Sequence, residues 1–204
     1  MAPRPDRRPG GRTARIRAQV VDAVRAELAE NGYQGLTMEG VAARAGVHRT
    51  TVYRRWRDVG GLLVDVIDAA GEIDWQPPDT GSLRGDLTAL NQEILESLVV
   101  HPSFAVALMA ASFHSEQAAQ AQTQLWADRY AQCEILVERA IGRGEIPAQH
   151  TDAWSLLMVA TAPLYHQVVL LRADPDPRLP ERAAAAAVLA AVAGAFSGHR
   201  EESV

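Results

Sequence analysis

The chain of 204 residues is long enough for one sizeable hydrophobic core, or for a small domain and a larger one. Its single cysteine, Cys133, excludes an internal disulfide bond and a four-cysteine zinc site. The net charge of −5 hides an asymmetry typical of nucleic-acid-binding proteins, because residues 1–57 carry 12 arginines against five acidic residues, whereas residues 58–204 carry 8 against 20.

The N-terminal third is predicted to be a basic arm followed by four helices. Residues 1–12 are rich in Pro, Gly and Arg and are expected to be disordered. From Thr13 onwards, apolar residues recur every four positions and predict a helix that ends at Asn31-Gly32. A second helix is predicted from Thr37, as N-cap, to Arg44, and Gly46 breaks it. A third is predicted over 48–55, and a fourth over 59–71 with Asp58 as N-cap.

The remainder of the chain is also predicted to be helical. The stretch "DWQPPDTGS", residues 74–82, is a cluster of helix breakers and marks a boundary. The helices predicted beyond it cover 82–100, 103–112, 115–141, 151–172 with Pro163 inside, and 179–197 up to Gly198. No strand or internal repeat is recognisable, so the fold class is predicted to be all-α.

The stretch "VAARAGVHRTTVYRRW" has the features of a helix-turn-helix. Ala42 and Gly46 provide the small residue and the turn residue that two sharply crossing helices need. At about 100° per residue, Val52 and Trp56 point inward. The opposite face carries Thr50, Thr51 and Arg54, flanked by Tyr53 and Arg55. Such a face can enter a major groove, with Arg donating to guanine and Thr contacting thymine methyls or phosphates; a solvated helix face is the alternative for Arg54 and Arg55.

Residues 17–63, "RAQVVDAVRAELAENGYQGLTMEGVAARAGVHRTTVYRRWRDVGGLL", closely resemble the DNA-binding domain of the TetR family of transcriptional regulators. The resemblance implies a basic arm at 1–12, a helix-turn-helix DNA-binding domain at 13–57 and a connecting helix at 58–73. It implies a larger helical domain for effector binding and dimerisation at 74–204. It also implies a homodimer that binds a palindromic operator in double-stranded DNA.

The resemblance assigns DNA contacts to individual residues. Thr37 would meet a phosphate, and Arg49, Thr50 and Thr51 would approach bases. Tyr53 and Arg54 would contact the backbone or base edges, with Arg55 beside them, although Tyr53 could instead pack on the first helix. Arg12 and Arg15 would reach a minor groove or a phosphate. Two positions depart from the family pattern. His48 stands where the family often has Ser or a similar capping residue, so the helix over 48–55 is expected to be capped less conventionally, and His48 is interpreted as a helix-start residue near phosphate rather than a metal ligand. Val59 stands where the family usually has Lys, and Gly60-Gly61 after it should loosen that turn.

The last two helices are candidates for a dimer interface. Their apolar and small side chains would allow two helices from each protomer to form a four-helix bundle, although an ordinary internal core is the alternative. The candidate interface residues are Leu164, Val168, Leu171, Val188, Leu189, Val192 and Phe196.

The middle helices hold much of the aromatic and Met content, where the family encloses an effector cavity. The candidate residues for a pocket are Phe104, Met109, Phe113, His114, Trp126, Tyr130, Trp154, Met158, Tyr165 and His166. A plain hydrophobic core is the alternative for each of them. His101, Gln117 and Gln167 are further polar groups that could orient an unknown small-molecule effector.

The function predicted is that of a homodimeric, ligand-responsive repressor; an activator or ligand-independent regulator is the alternative, and an enzyme with a vestigial DNA-binding domain is disfavoured. No nucleophile motif, phosphate loop or carboxylate pair stands out, so neither catalysis, a metal nor a cofactor is expected. The first 15 residues lack a signal-peptide pattern, and the apolar stretches 154–171 and 183–196 are interrupted or short. A cytoplasmic protein without a membrane segment is expected.

Overall fold

The computed structural model of the chain describes residues 10–72, 75–147 and 151–196. Within these ranges it contains helices and no β-strand, which confirms the all-α prediction. The helices are α1 (Gly10–Gly35), α2 (Met38–Ala45), α3 (Arg49–Trp56), α4 (Val59–Gly71), α5 (Leu83–Val99), α6 (Phe104–Ser112), α7 (Glu116–Gly142), α8 (Ala153–Tyr165), a π-helical turn (His166–Leu170) and α9 (Leu179–Val192).

The contacts group the chain into two compact units. Unit 1 comprises Met1–Ile73 and Phe104–Leu125, and unit 2 comprises Asp74–Ser103 and Trp126–Val204. Helix α6 and the first part of α7 therefore belong with α1 to α4. The assignment of separate roles to residues 13–57, 58–73 and 74–204 remains a prediction.

Unit 1 is organised around the apolar side of α1. Val20, Val24 and Leu28, which are one helical turn apart, are buried together with Val52 of α3 and Leu63 of α4. The spacing of these residues is the reason that α1 presents one continuous apolar stripe to α2, α4 and α6.

The N-terminal end of α1 differs from the prediction. The helix begins at Gly10 rather than at Thr13, so residues 10–12 are helical, while residues 1–9 of the predicted arm lie outside the described residues. Periodicity could not locate this end because Gly10, Gly11 and Arg12 contribute no apolar position. At the other end, Gly32 has φ 64° and interrupts the helix where its end was predicted, and helical structure resumes to Gly35.

Unit 2 packs α5, α8 and α9 against one another and against α7. The alanines of α9, among them Ala184 and Ala187, are buried with Leu87 of α5 and Leu157 of α8, so small side chains bring the backbones close. The buried Asn91 of α5 ties these helices together, because its Nδ2 donates to the carbonyl oxygens of Ala160 (3.0 Å) and Pro180 (3.1 Å).

Two helix ends of unit 2 were predicted wrongly. The predicted helix over 151–172 is α-helical only to Tyr165, and a π-helical turn follows in which Leu171 N donates to His166 O at 2.9 Å. The last helix ends at Val192 rather than at 197, because Gly194 has φ 76° and its N–H bonds back to Ala191 O.

Candidate nucleic-acid interface

The helix-turn-helix is held by local caps that the sequence specifies. The Thr37 Oγ1 accepts from Gly40 N at 3.0 Å and starts α2 in the predicted place. Gly46 has φ 64° and ends α2, while Val47 N donates back to Ala42 O at 3.1 Å. Because the Thr37 hydroxyl accepts this bond with its oxygen, its hydrogen remains a donor that can reach a phosphate.

The third helix presents one buried side and one exposed side. Val52 and Trp56 are buried, as the helical spacing predicted, and Thr51 is half-buried rather than fully outward. We call the exposed side the recognition face, which consists of His48, Arg49, Thr50, Tyr53, Arg54 and Arg55. Each of these six side chains is basic or can form hydrogen bonds, and α3 contains no acidic residue.

The start of α3 is capped less strongly than that of α2. His48 is the N-cap residue, but its side chain makes no capping hydrogen bond, which agrees with the departure noted in the sequence. Its Nδ1 instead lies 2.9 Å from Thr50 Oγ1. The Thr51 N–H donates to His48 O at 2.8 Å, and the N–H groups of Arg49 and Thr50, which no side chain caps, keep the capacity to bind an anion such as a phosphate.

A polar network that the sequence analysis missed anchors α3 to α4 and α1. The Trp56 Nε1 donates to Asp65 Oδ2 at 2.7 Å, and Arg17 Nε donates to Asp65 Oδ1 at 2.6 Å. Arg17 also donates to Glu72, and these bonds, with Glu72 contributing most, raise the pKa of its guanidinium. On the outer side, the Arg55 guanidinium lies 5.0 Å from the centroid of the Trp56 ring.

The turn between α3 and α4 is tightly packed. Arg57 has φ 65°, and Asp58 caps α4 by accepting from Gly61 N at 2.9 Å. A Cβ on Gly61 would lie 2.2 Å from the carbonyl oxygen of Trp56, and one on Gly60 would lie 2.6 Å from Gln117 Oε1. The backbone contact leaves no room for a side chain at Gly61, whereas at Gly60 the contact is with the end of a flexible side chain that can move.

The remaining arginines of unit 1 differ in how far their charge is engaged. Arg12 and Arg15 are exposed on the first turns of α1. Arg44 is engaged, because its Nε lies 2.7 Å from Glu27 and its Nη2 lies 2.5 Å from Glu30. The hydrogen bond from Arg44 is the main reason that the pKa of Glu27 is lowered.

The hydroxyl of Tyr53 is held by an acidic residue of α2. It donates to Glu39 Oε1 at 2.6 Å, and this bond lowers the pKa of Glu39 and raises that of Tyr53. Tyr53 is 43% exposed, so its ring stands on the recognition face rather than in the core.

Comparison with known proteins places this helix-turn-helix in a family. Residues 20–66 match the family model described as bacterial regulatory proteins, tetR family, and residues 77–187 match the one described as tetracyclin repressor-like, C-terminal domain. The chain belongs to the TetR family. It is therefore a transcriptional regulator with a DNA-binding helix-turn-helix.

Relatives of known identity agree with TetR-family membership. AqdR of Rhodococcus erythropolis, a transcriptional regulator, is 29% identical over 173 residues, which cover 84% of this chain and 83% of that protein. The DNA-binding transcriptional repressor TetR of Mycobacteroides abscessus is 32% identical over 146 residues, or 70% and 76% of the two chains. The structure of FadR of Bacillus subtilis with stearoyl-CoA shares the fold, with a TM-score of 0.62, 15% identity, and coverage of 87% and 98%.

The candidate effector residues of this TetR-family chain are divided between the two units. In unit 1, Phe104 and Met109 are half-buried, and the Arg25 guanidinium lies 5.5 Å from the Phe104 ring centroid. His114 is exposed and stacks on Tyr33 at 5.1 Å. Phe113 is 83% exposed, so it belongs to neither a core nor an enclosed pocket of this unit.

In unit 2, four of the candidates form what we call the aromatic cluster: Trp126, Tyr130, Trp154 and Tyr165. Ring centroids are 6.1 Å apart for Trp126 and Tyr130, 5.4 Å for Trp126 and Tyr165, and 4.6 Å for Tyr130 and Trp154. Burial raises the pKa of the Tyr165 hydroxyl. The Tyr130 hydroxyl lies 3.2 Å from Thr161 Oγ1, within hydrogen-bonding distance.

The other candidates of unit 2 lie towards its surface. Met158 and His166 are exposed. His166 and Gln167 line an open groove of about 750 Å³ with Pro163 and Leu171. Gln167 Nε2 donates to Asp174 O at 3.0 Å, while its Oε1 is buried without a hydrogen-bond partner. Of the further polar candidates, His101 and Gln117 are exposed.

The candidate dimer residues separate into buried and exposed sets. Leu164 and Phe196 are buried within unit 2 and are corrected to core residues, because α8 directs Leu164 inward and the segment after α9 folds back. Val168 and Val188 are half-buried. Leu171, Leu189 and Val192 are exposed, and we refer to these three and the exposed Met158, Val159 and Leu170 together as the apolar face.

Proposed function

We propose that the protein is a homodimeric repressor that binds a palindromic operator through the recognition face and is released from it by a small-molecule effector. The observation that carries the proposal is the acid-free recognition face of α3, held in place by a buried Val52 and Trp56. Membership of the TetR family and the role of transcriptional regulator do not depend on this proposal.

The recognition face has the chemistry of a major-groove reader. Arg49 and Arg54 can donate to the O6 and N7 atoms of guanine, and Thr50 can contact thymine methyls or phosphates. Among the described residues, no carboxylate lies within 4.0 Å of the guanidinium groups of Arg49, Arg54 or Arg55, so none of these exposed arginines is held in an ion pair, although Arg49 interacts with Glu39 at longer range and Arg55 lies over the Trp56 ring. Thr37, His48 and Arg15 would contact the sugar-phosphate backbone, which supplies affinity without sequence information.

The apolar face supports dimerisation. Leu189 is 71% exposed and Val192 is 55% exposed, both on an alanine-rich helix that permits close helix packing. The segment Ala153–Leu170 has a mean hydropathy of 1.3 with only 28% of it buried, and is long and apolar enough to cross a membrane. In a regulator that must reach chromosomal DNA in the cytoplasm, we assign the cover of this face to a second copy of the chain.

The aromatic cluster supports an effector site in unit 2. Four aromatic rings with a few polar atoms, such as the Tyr130 hydroxyl, are the usual lining of a site for an apolar or aromatic small molecule. FadR of Bacillus subtilis, which shares the fold, was solved with stearoyl-CoA. An effector that prefers a conformation with the wrong distance between the two recognition helices would shift the dimer off DNA.

The test is a selection of genomic DNA fragments by the purified protein at about 150 mM salt. The wild type is expected to recover a palindrome, and Arg54→Ala is expected to lose it. Arg178→Ala, which removes an exposed arginine of unit 2, is the matched control and should recover the same palindrome. Recovery of no sequence by the wild type would contradict the proposal, and transcription from the recovered promoter would distinguish repression from activation.

The effector part is tested separately through reciprocity. Stearoyl-CoA and a panel of aromatic compounds would be titrated against the free protein and against the operator complex. Any compound that weakens operator binding must itself bind the operator complex more weakly by the same factor. A compound that binds the aromatic cluster but leaves operator affinity unchanged would contradict ligand-controlled release by that compound.

A further inference from the structure

We propose that Glu39 is a specificity-determining residue of the DNA-binding surface. Its carboxylate, positioned by Tyr53, accepts a hydrogen bond from a cytosine amino group at one position of each half-site and penalises contact with phosphate elsewhere. The inference rests on the proposed function, because it requires that the recognition face enters a major groove.

Glu39 is placed against the recognition face by a direct contact. It lies in the first turn of α2, and its Oε1 accepts from the Tyr53 hydroxyl of α3 at 2.6 Å. Both residues are exposed, so the contact lies at the surface and not in the core. The hydrogen bond from Tyr53 uses one of about four lone-pair sites of the carboxylate, so the exposed group keeps acceptor capacity for DNA.

The charge of Glu39 contrasts with its surroundings. It is the sole acidic residue from Asn31 to Arg57, a stretch that contains five arginines. The Tyr53 hydrogen bond, followed by a backbone hydrogen bond and the charge of Arg49, lowers the pKa of its carboxyl, so the group is ionised at neutral pH. A carboxylate beside a DNA-binding helix repels phosphates, which supply most of the non-specific affinity.

The chemistry of the base edges selects the ligand of this carboxylate. In the major groove, cytosine offers its N4 amino group as a donor, whereas guanine offers two acceptors and thymine one acceptor and a methyl group. Adenine offers an amino group beside its N7 acceptor, which would repel a carboxylate. An ionised Glu39 therefore favours cytosine, and a glutamine at this position would favour adenine.

The experiment compares Glu39→Gln and Tyr53→Phe with the wild type and with Glu134→Gln. The control removes the same charge from an exposed position on the part of α7 that belongs to unit 2. Each protein would select from a random duplex library, and its dissociation constant for one random-sequence duplex would be measured at several salt concentrations. Circular dichroism melting would verify that all four proteins fold.

We expect Glu39→Gln to lose cytosine enrichment at one position per half-site by about tenfold, with adenine enriched in its place. Its affinity for the random duplex should rise several-fold, while Glu134→Gln behaves as the wild type. Tyr53→Phe should weaken the cytosine preference without a shift to adenine, because the carboxylate is retained but no longer positioned.

The outcomes that overturn the inference are distinct. If Glu39→Gln selects the same bases as the wild type, Glu39 does not determine specificity. Tighter binding of the random duplex by this variant would then show only that the Glu39 charge repels phosphates. If the wild type selects a palindrome without such a cytosine, this inference fails and the proposed function stands. If the wild type selects no sequence, both fail together.

Discussion

Single residues in unit 1 act through close contacts that leave little room for change. Gly61 lies where the chain passes from α3 to α4, and the carbonyl oxygen of Trp56 occupies the place of its missing side chain. Trp56 in turn is hydrogen-bonded to Asp65, which Arg17 also contacts. The orientation of the recognition face therefore depends on residues that do not themselves face DNA.

Gly61→Ala is expected to lower the free energy of unfolding by about 2–3 kcal/mol, because a Cβ 2.2 Å from a backbone oxygen forces the turn to move. Urea denaturation would measure the change. The control is Gly142→Ala, where a Cβ meets nothing within 4 Å and the stability should change by less than about 1 kcal/mol. Equal effects of the two substitutions would show that the turn is not tightly packed.

Arg54 offers a residue-scale test of how the recognition face contacts DNA. If its guanidinium neutralises a phosphate, Arg54→Ala should reduce the slope of log affinity against log salt by about 0.9. If it donates to a base edge, the slope should stay nearly constant while the preference for guanine at one position relaxes. Titration of operator and scrambled duplexes across a salt series separates the two, and no change in either quantity would remove Arg54 from the interface.

At the scale of helices, local signals predicted most of the fold. The caps at Thr37 and Asp58 lie where α2 and α4 begin, and the breaker at Gly46 lies where α2 ends, because a capping side chain bonds to backbone within three residues. Contacts between helices could not be predicted in this way. The bonds of Tyr53 to Glu39 and of Trp56 to Asp65 depend on how the helices cross, which no single-segment pattern records.

The same limit explains the partial success for α8 and α9. Their composition indicated apolar, closely packed helices, but it could not tell which apolar positions face the interior of unit 2. Leu164 lies in the core, whereas Leu189 lies at the surface. The DNA-contact and effector assignments likewise stay predictions, since they concern molecules outside the chain.

This difference between Leu164 and Leu189 gives an element-scale prediction. Leu189→Asp should abolish the dimer while leaving the protomer folded, because the side chain is exposed in the protomer and would be buried in the pair. Leu164→Ala should retain the dimer but lower the free energy of unfolding by about 2–5 kcal/mol. Light scattering gives the mass and denaturation gives the stability; a dimeric Leu189→Asp would place the interface elsewhere.

At the scale of the whole molecule, operator recognition by a homodimer depends on distance as well as on contacts. Two recognition helices that enter successive major grooves must be about 34–36 Å apart, which is one helical turn of DNA. Insertion of about 5 base pairs at the centre of the palindrome rotates one half-site to the opposite side of the duplex. The affinity of the dimer should then fall to that of a single half-site, as measured by fluorescence anisotropy.

Comparison with the Leu189→Asp variant, which is expected to be monomeric, tests whether the dimer sets this spacing. Each Leu189→Asp protomer would bind one half-site independently, so its weaker affinity should be the same for the natural palindrome and for the one with the insert. Wild-type protein should lose affinity on insertion because the two recognition helices of one dimer can no longer reach both half-sites at once. If wild type and variant respond equally to the insert, the dimer does not set the distance between the recognition helices, and an effector could not act by changing that distance.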